Sequence, residues 1–244
     1  MKYLIFSDVH GNLEALNVVL EQIESYNPDR IICLGDVVGY GPNPNECIEH
    51  VSQMAHMTIM GNHDHAVLGL TDISYFNQYA KTAVLWTRQV LTEENYKILQ
   101  AYPFRVSERN ILFVHSTPIH PERWDYIFNP LEGHYYLQHL EEQVCFIGHS
   151  HQPLFFEKDQ DGQIAFDRKF SFSLPVREDC KYIVNVGSVG QPRDGNPDVS
   201  YATYDTEAQL IEIKRLPYDI AFTQNKMKEI GLPTFLIDRL AYGR

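Results

Sequence analysis

At 244 residues, with 44% hydrophobic, 12% aromatic and 21% charged residues, the chain is long enough for a substantial core and has neither the charge excess nor the apolar poverty of disorder. Its formal net charge is −12, and no Lys/Arg run is longer than a pair such as Lys214-Arg215, so no broad basic surface is expected and a long nucleic acid is not an expected partner. No stretch has the apolar length to cross a bilayer, and Asp8 and His10 interrupt the opening segment before a secretory apolar run is complete.

The first apolar run, Tyr3 to Phe6, reads as a buried strand. Leu13, Leu16, Leu20, Ile23 and Tyr26 then recur at helical spacing, with Asn12 placed to cap the start and Asn27-Pro28 to stop it. Ile31 to Leu34 is the next strand, and strand, helix, strand predicts a parallel pair. Further helices are expected over Asn45 to Met54, Tyr75 to Leu91 and Leu131 to Glu142. Ile111 to Val114, Val144 to Ile147 and Tyr182 to Val186 read as strands. After Gly148 the pieces shorten and turn signals such as Asp161-Gly162 and Asn196-Pro197 intervene, which predicts antiparallel hairpins. With no linker, repeat or low-complexity tract, the expectation is a single mixed α/β domain over residues 1–244. Cys33, Cys47, Cys145 and Cys180 form no CxxC pair, and Cys33 and Cys145 lie inside apolar runs, so reduced thiols and a cytoplasmic location are expected.

The informative residues follow the apolar runs. They are Ser7-Asp8-Val9-His10, Gly35-Asp36, Gly61-Asn62-His63-Asp64 after Thr58 to Met60, His115, and Gly148-His149-Ser150-His151. In an open sheet the carboxyl ends of strands are where ligands bind, so these polar groups are expected to converge on one crevice. Asp and His at alternate positions of an extended segment would project to one side, so each such pair could grip one centre. Imidazole, carboxylate and amide oxygen together suit Mn²⁺, Fe²⁺, Ni²⁺ or Zn²⁺ rather than Ca²⁺ or Mg²⁺, and the absence of thiolates argues against a structural zinc site.

The ordered set DxH, GD, GNHD, lone His and GHxH, spanning Asp8 to His151, resembles the calcineurin-like metallophosphoesterases, and the segment Asn185 to Gly195 resembles the loop that follows GHxH in their small bacterial and archaeal phosphodiesterase-like members. The resemblance implies a four-layer αββα fold with mixed β-sheets packed as a sandwich flanked by helices. It implies one metal bound by Asp8, His10, Asp36 and His151, and a second by Asp36, Asn62, His115 and His149. Asp36 would bridge the ions, and a hydroxide shared between them would attack a phosphodiester or phosphomonoester directly. Two divalent ions outweigh two carboxylates and a hydroxide, so the acidic chain is no obstacle to a phosphate substrate. Mn²⁺ is the first choice of cofactor, with Fe, Ni or Zn compatible.

By the same resemblance His63 would act on the substrate, with Asp64 orienting it or a ligand histidine, or else capping a helix. Asn62 and Arg193, the latter in the Gly-rich segment Asn185 to Gly195, are the candidate substrate-binding residues. The sequence departs from the protein Ser/Thr phosphatases and symmetrical dinucleoside tetraphosphatases, which carry an arginine four residues after the bridging aspartate; Tyr40 stands there. Gly39 occupies the position of the metal-binding tyrosine of purple acid phosphatases. His65 and His120 read as surface or outlying residues, and His50, His56, His134 and His139 as ordinary. Two other functions fit the same motifs: hydrolysis of nucleotide or dinucleoside polyphosphates, and a non-catalytic scaffold, which the intact His63 disfavours.

Overall fold

The computed structural model describes residues 1–244. The chain opens with β1 (Lys2–Phe6), α1 (Leu13–Tyr26), β2 (Arg30–Cys33), α2 (Pro44–Met54), β3 (Met57–Thr58), α3 (Asn62–Val67), α4 (Gln78–Val90) and α5 (Glu93–Gln100). It continues through β4 (Arg105–Glu108), β5 (Ile111–Val114), α6 (Pro130–His139), β6 (Val144–Ile147), β7 (Leu154–Lys158), β8 (Ile164–Arg168), β9 (Ser173–Pro175) and β10 (Lys181–Asn185). The hairpin β11 (Val199–Asp205) and β12 (Leu210–Leu216) precedes the closing helices α7 (Ile220–Glu229) and α8 (Thr234–Asp238).

Two six-stranded mixed sheets result, ordered β3-β2-β1-β11-β12-β9 and β4-β5-β6-β10-β7-β8. Alternation along the strands assigns their faces. Tyr3 and Ile5 of β1 join Phe113, Phe146, Tyr182 and Tyr204 in the core between the sheets. Leu4 and Phe6 face outward onto Leu16 and Val19 of α1 and Ile48 and Val51 of α2. On the second sheet, Leu112, Val114, Cys145 and Ile147 face Leu137 of α6 and Leu140. Because these strands are covered on both faces, they read in the sequence as continuous apolar runs. The result is the expected sandwich of mixed sheets flanked by helices.

In the first sheet β1, β2 and β3 run parallel, and in the second β5, β6 and β10 do. Their carboxyl ends therefore lie at the same edge of each sheet. The expectation of hairpins after Gly148 holds for β7–β8 and β11–β12, but β10 crosses back to lie parallel to β6. Helix α4 starts at Gln78 rather than Tyr75, because the Asn77 side chain accepts from the N–H groups of Tyr79 and Ala80 and sets the start there. Helix α6 ends at His139, short of Glu142, where Leu140 turns extended and joins the core. No helix is long and apolar enough to cross a membrane, and all four cysteines are buried free thiols.

Candidate metal centre

Strand β1 stops at Phe6, and the segment after it is not extended. Asp8 and His10 sit in the left-handed region, with φ of 56° and 51°, as do Asp36 at 51°, His149 at 65° and His151 at 58°. The extended geometry expected for Asp8-Val9-His10 and His149-Ser150-His151 is thus corrected. The paired side chains converge because the backbone coils between them, at a cost of about 1–2 kcal/mol per non-glycine residue. Backbone hydrogen bonds hold this strained segment. The N–H groups of Asp8, His10 and Gly11 donate to the carbonyls of Gly35, Asp36 and Val37, and those of Val189 and Gly190 donate to Ser7 and Asp8. The approach is so close at Gly61 and Gly148 that a Cβ would collide with Asp36 Oδ1 at the first and with Ser7 Oγ and Asp8 Oδ2 at the second.

Two donor sets result. Ligand atoms of Asp8, His10, Asp36 and His151 all lie within 4.8 Å of one another, as do those of Asp36, His115 and His149. The Asn62 side-chain oxygen adds to the second set at 3.2 Å from His115 Nε2. Asp36 belongs to both: its Oδ2 is 3.6 Å from His10 Nε2 and 3.4 Å from His115 Nε2. All of these residues are buried except Asn62, which is half-buried.

Each ring is oriented by a backbone carbonyl. Nδ1–H donates to Val38 O in His10, to Leu34 O in His115 and to Gln191 O in His151. His149 is reversed: Nε2–H donates to Trp124 O, which leaves Nδ1 for the second set. A carbonyl oxygen can only accept, so the tautomers follow, and the remaining ring nitrogens present lone pairs to the cluster. His10 Nε2 and His151 Nε2 then face one another at 3.1 Å with no proton between two neutral rings. Asp8 Oδ1 lies 3.2 Å from His151 Nε2 and has no hydrogen-bond partner. Converging lone pairs from imidazole and carboxylate at this spacing are what a cation requires, so the donor set fits divalent metal ions.

The charge balance agrees. Burial opposes ionisation of both carboxyls, yet His151 and His115 beside Asp8, and His115 and His63 beside Asp36, hold them well below the usual carboxylate range. Burial lowers His10 and His151, and it takes His149 down to about 3. Only His115 goes the other way: burial opposes its charge, but Asp36 and Asp8 push it up to about 9.

His63, the second residue of α3, is buried with its ring between His10, at 4.9 Å between centroids, and Tyr40, at 4.5 Å, and its Nδ1 has no partner. Burial lowers it to about 4, so at neutral pH it is an uncharged ring. Asp64 does not orient it. Its oxygens accept from the Val38 and Gly61 N–H groups, and the carboxyl caps α3 from the third helical position. The orienting contact expected for Asp64 is therefore absent, and capping, the alternative, is what the geometry gives. Arg193 is half-buried, donates to Gln191 Oε1 at 2.7 Å and lies 5.5 Å over the ring of Tyr40. His65 pairs with Thr71 and His120 with Glu122, both outside the donor sets. Three contributors carry no motif. Trp124 supplies the carbonyl that turns His149, Tyr126 stacks on the His149 ring at 4.0 Å, and Gln191 links His151 to Arg193.

Residues 1–209 match the family described as the calcineurin-like phosphoesterase superfamily domain. An uncharacterized protein of Methanocaldococcus jannaschii is 40% identical over 98% of this chain and 97% of its own length. The phosphodiesterase YfcE of Escherichia coli is 24% identical over 85% of this chain and 89% of its own. Among solved structures, a metallophosphoesterase from Sphaerobacter thermophilus superposes with a TM-score of 0.88 at 40% identity, covering 100% of this chain and 99% of that one. The chain belongs to the calcineurin-like phosphoesterase superfamily and is a metal-dependent phosphoester hydrolase.

Proposed function

We propose that the chain hydrolyses a phosphodiester or phosphomonoester with two divalent transition-metal ions, Mn²⁺ first among them. Asp8, His10, Asp36 and His151 would hold one, and Asp36, Asn62, His115 and His149 the other. The observation that carries this reading is the pair of buried donor sets sharing Asp36 Oδ2, each histidine turned by a backbone carbonyl so that a lone pair faces its neighbours. When bound, the ions supply Lewis acidity to phosphoryl oxygens and activate the attacking water.

The chain's own residues position the ester. Arg193 places a cation beside Tyr40, where some relatives carry an arginine in sequence, and its guanidinium binds a phosphoryl oxygen. The Asn62 side-chain oxygen would serve the second metal, which leaves its N–H₂ free to donate to the same phosphate. His63, neutral in its buried place, donates one hydrogen bond to a phosphoryl oxygen. Asp64 fixes the start of α3 and so the positions of Asn62 and His63. The buried, unpaired cysteines favour a reducing, cytoplasmic setting.

With Mn²⁺ the purified chain is expected to turn over bis(p-nitrophenyl) phosphate or p-nitrophenyl phosphate, and EDTA to abolish the activity. A fully metallated protein inactive on both esters and on dinucleoside polyphosphates overturns the catalytic reading in favour of a scaffold.

A further inference from the structure

Beside the metal centre lies a cavity of about 600 Å³, lined by Gln152, Arg168, Lys169, Phe170, Ser171, Arg193 and Asp194. This volume is in the range of small-ligand sites. The lining is unusual for so acidic a chain: three cations, and one carboxylate that is already spent. Asp194 is ion-paired with Arg215, and both partners are nearly inaccessible, at 5% and 8%. Arg168, at the end of β8, donates one nitrogen to Phe128 O at 2.9 Å and is otherwise exposed. Lys169 pairs only with the partly exposed Asp167, a contact that costs little to exchange for an anionic ligand. Phe170 is 53% exposed and is the one apolar wall.

The cavity is fastened to the centre. Arg193 lines it, and the Arg193 N–H donates to the carbonyl of the ligand residue His151. Gln152, the next residue along from His151, lines it too and donates through Nε2 to Arg193 O at 3.0 Å. The Arg193 guanidinium lies over the ring of Tyr40, which packs on His10 and His63, so a phosphoryl group at the centre and a second anionic group in the cavity would share Arg193, with Arg168 and Lys169 serving only the second.

We infer that this cavity binds a second phosphate, on the part of the substrate that is not being cleaved, so that the preferred substrates are compounds with at least two phosphoryl groups, such as nucleoside polyphosphates. This rests on the hydrolase reading above and narrows its substrate class. Phe170 offers an apolar face to the remainder of such a molecule.

ADP is the probe, and the variant is Arg168→Gln/Lys169→Gln, whose side chains are exposed and lie outside the donor sets. Calorimetric titration of the Mn²⁺-loaded protein with ADP should give a Kd at least about tenfold weaker for the double variant, the loss expected from removing two charge-assisted contacts. The kcat and KM for bis(p-nitrophenyl) phosphate, which has a single phosphate, should stay within about twofold of wild type, and this also reports that the variant is folded. Unchanged ADP affinity, or an equal loss with both compounds, overturns the assignment. Weaker ADP binding by the double variant of a protein whose wild type cleaves neither the nitrophenyl esters nor ADP leaves the second-phosphate site standing and removes the hydrolase reading instead.

Discussion

Replacing His63 with alanine is expected to lower kcat by about 10²–10⁴-fold while leaving metal content and fold unchanged. The ring belongs to neither donor set, so its loss removes no ligand. Its backbone N–H donates to Asp36 Oδ1 at 2.7 Å, and alanine keeps that bond. What disappears is one donor buried against His10 and Tyr40, in a place where water screens little. Since burial holds the ring neutral, its expected part is hydrogen bonding to phosphoryl charge, and the loss should be similar for good and poor leaving groups. Comparing p-nitrophenyl with alkyl esters checks this. A loss confined to poor leaving groups would make His63 a proton donor to the departing oxygen, and full activity on every ester would remove it from the mechanism.

The second large effect is on metal retention. Asp36→Asn is expected to lose both ions at Mn²⁺ concentrations where Asp8→Asn still keeps one. Asp36 Oδ2 lies within 3.6 Å of His10 and 3.4 Å of His115, one histidine from each set, whereas Asp8 is grouped with the first set alone. Asparagine can still accept from the His63 N–H through its oxygen, so the fold is spared while the charge is lost. The weakening should exceed the 10–100-fold typical of losing an outer partner of a ligand. Metal analysis after gel filtration reads the difference, and equal losses from the two variants would mean that Asp36 is not shared.

The site was legible because of where its residues stand. β1, β2, β5 and β6 are buried on both faces, so each appears as an apolar run with an abrupt polar end, and parallel pairing brings those ends to one edge. How the side chains meet was not legible, since alternation in an extended segment and coiling through left-handed residues give the same spacing of Asp8 and His10. The start of α3 at Asn62 lies inside the GNHD motif, and Asp64 caps that helix through the Gly61 N–H. Trp124 and Tyr126 lie in an irregular loop, and their roles depend on a backbone carbonyl and a ring face, which no residue pattern encodes. β11 carries no continuous apolar run in the sequence because its buried Ser200 and Thr203 break it; the Ser200 hydroxyl donates to Val186 O. Helices α7 and α8 pack Met227, Leu236 and Ile237 against Tyr40, a contact between distant segments with no local sign.

If Asp36 serves both donor sets, seven side chains from five strand ends would hold two ions through one shared carboxylate. Elemental analysis of the chain stripped with chelator, reconstituted with Mn²⁺ and desalted should then find two ions per chain, whereas one ion or none would mean that the two sets are not filled together.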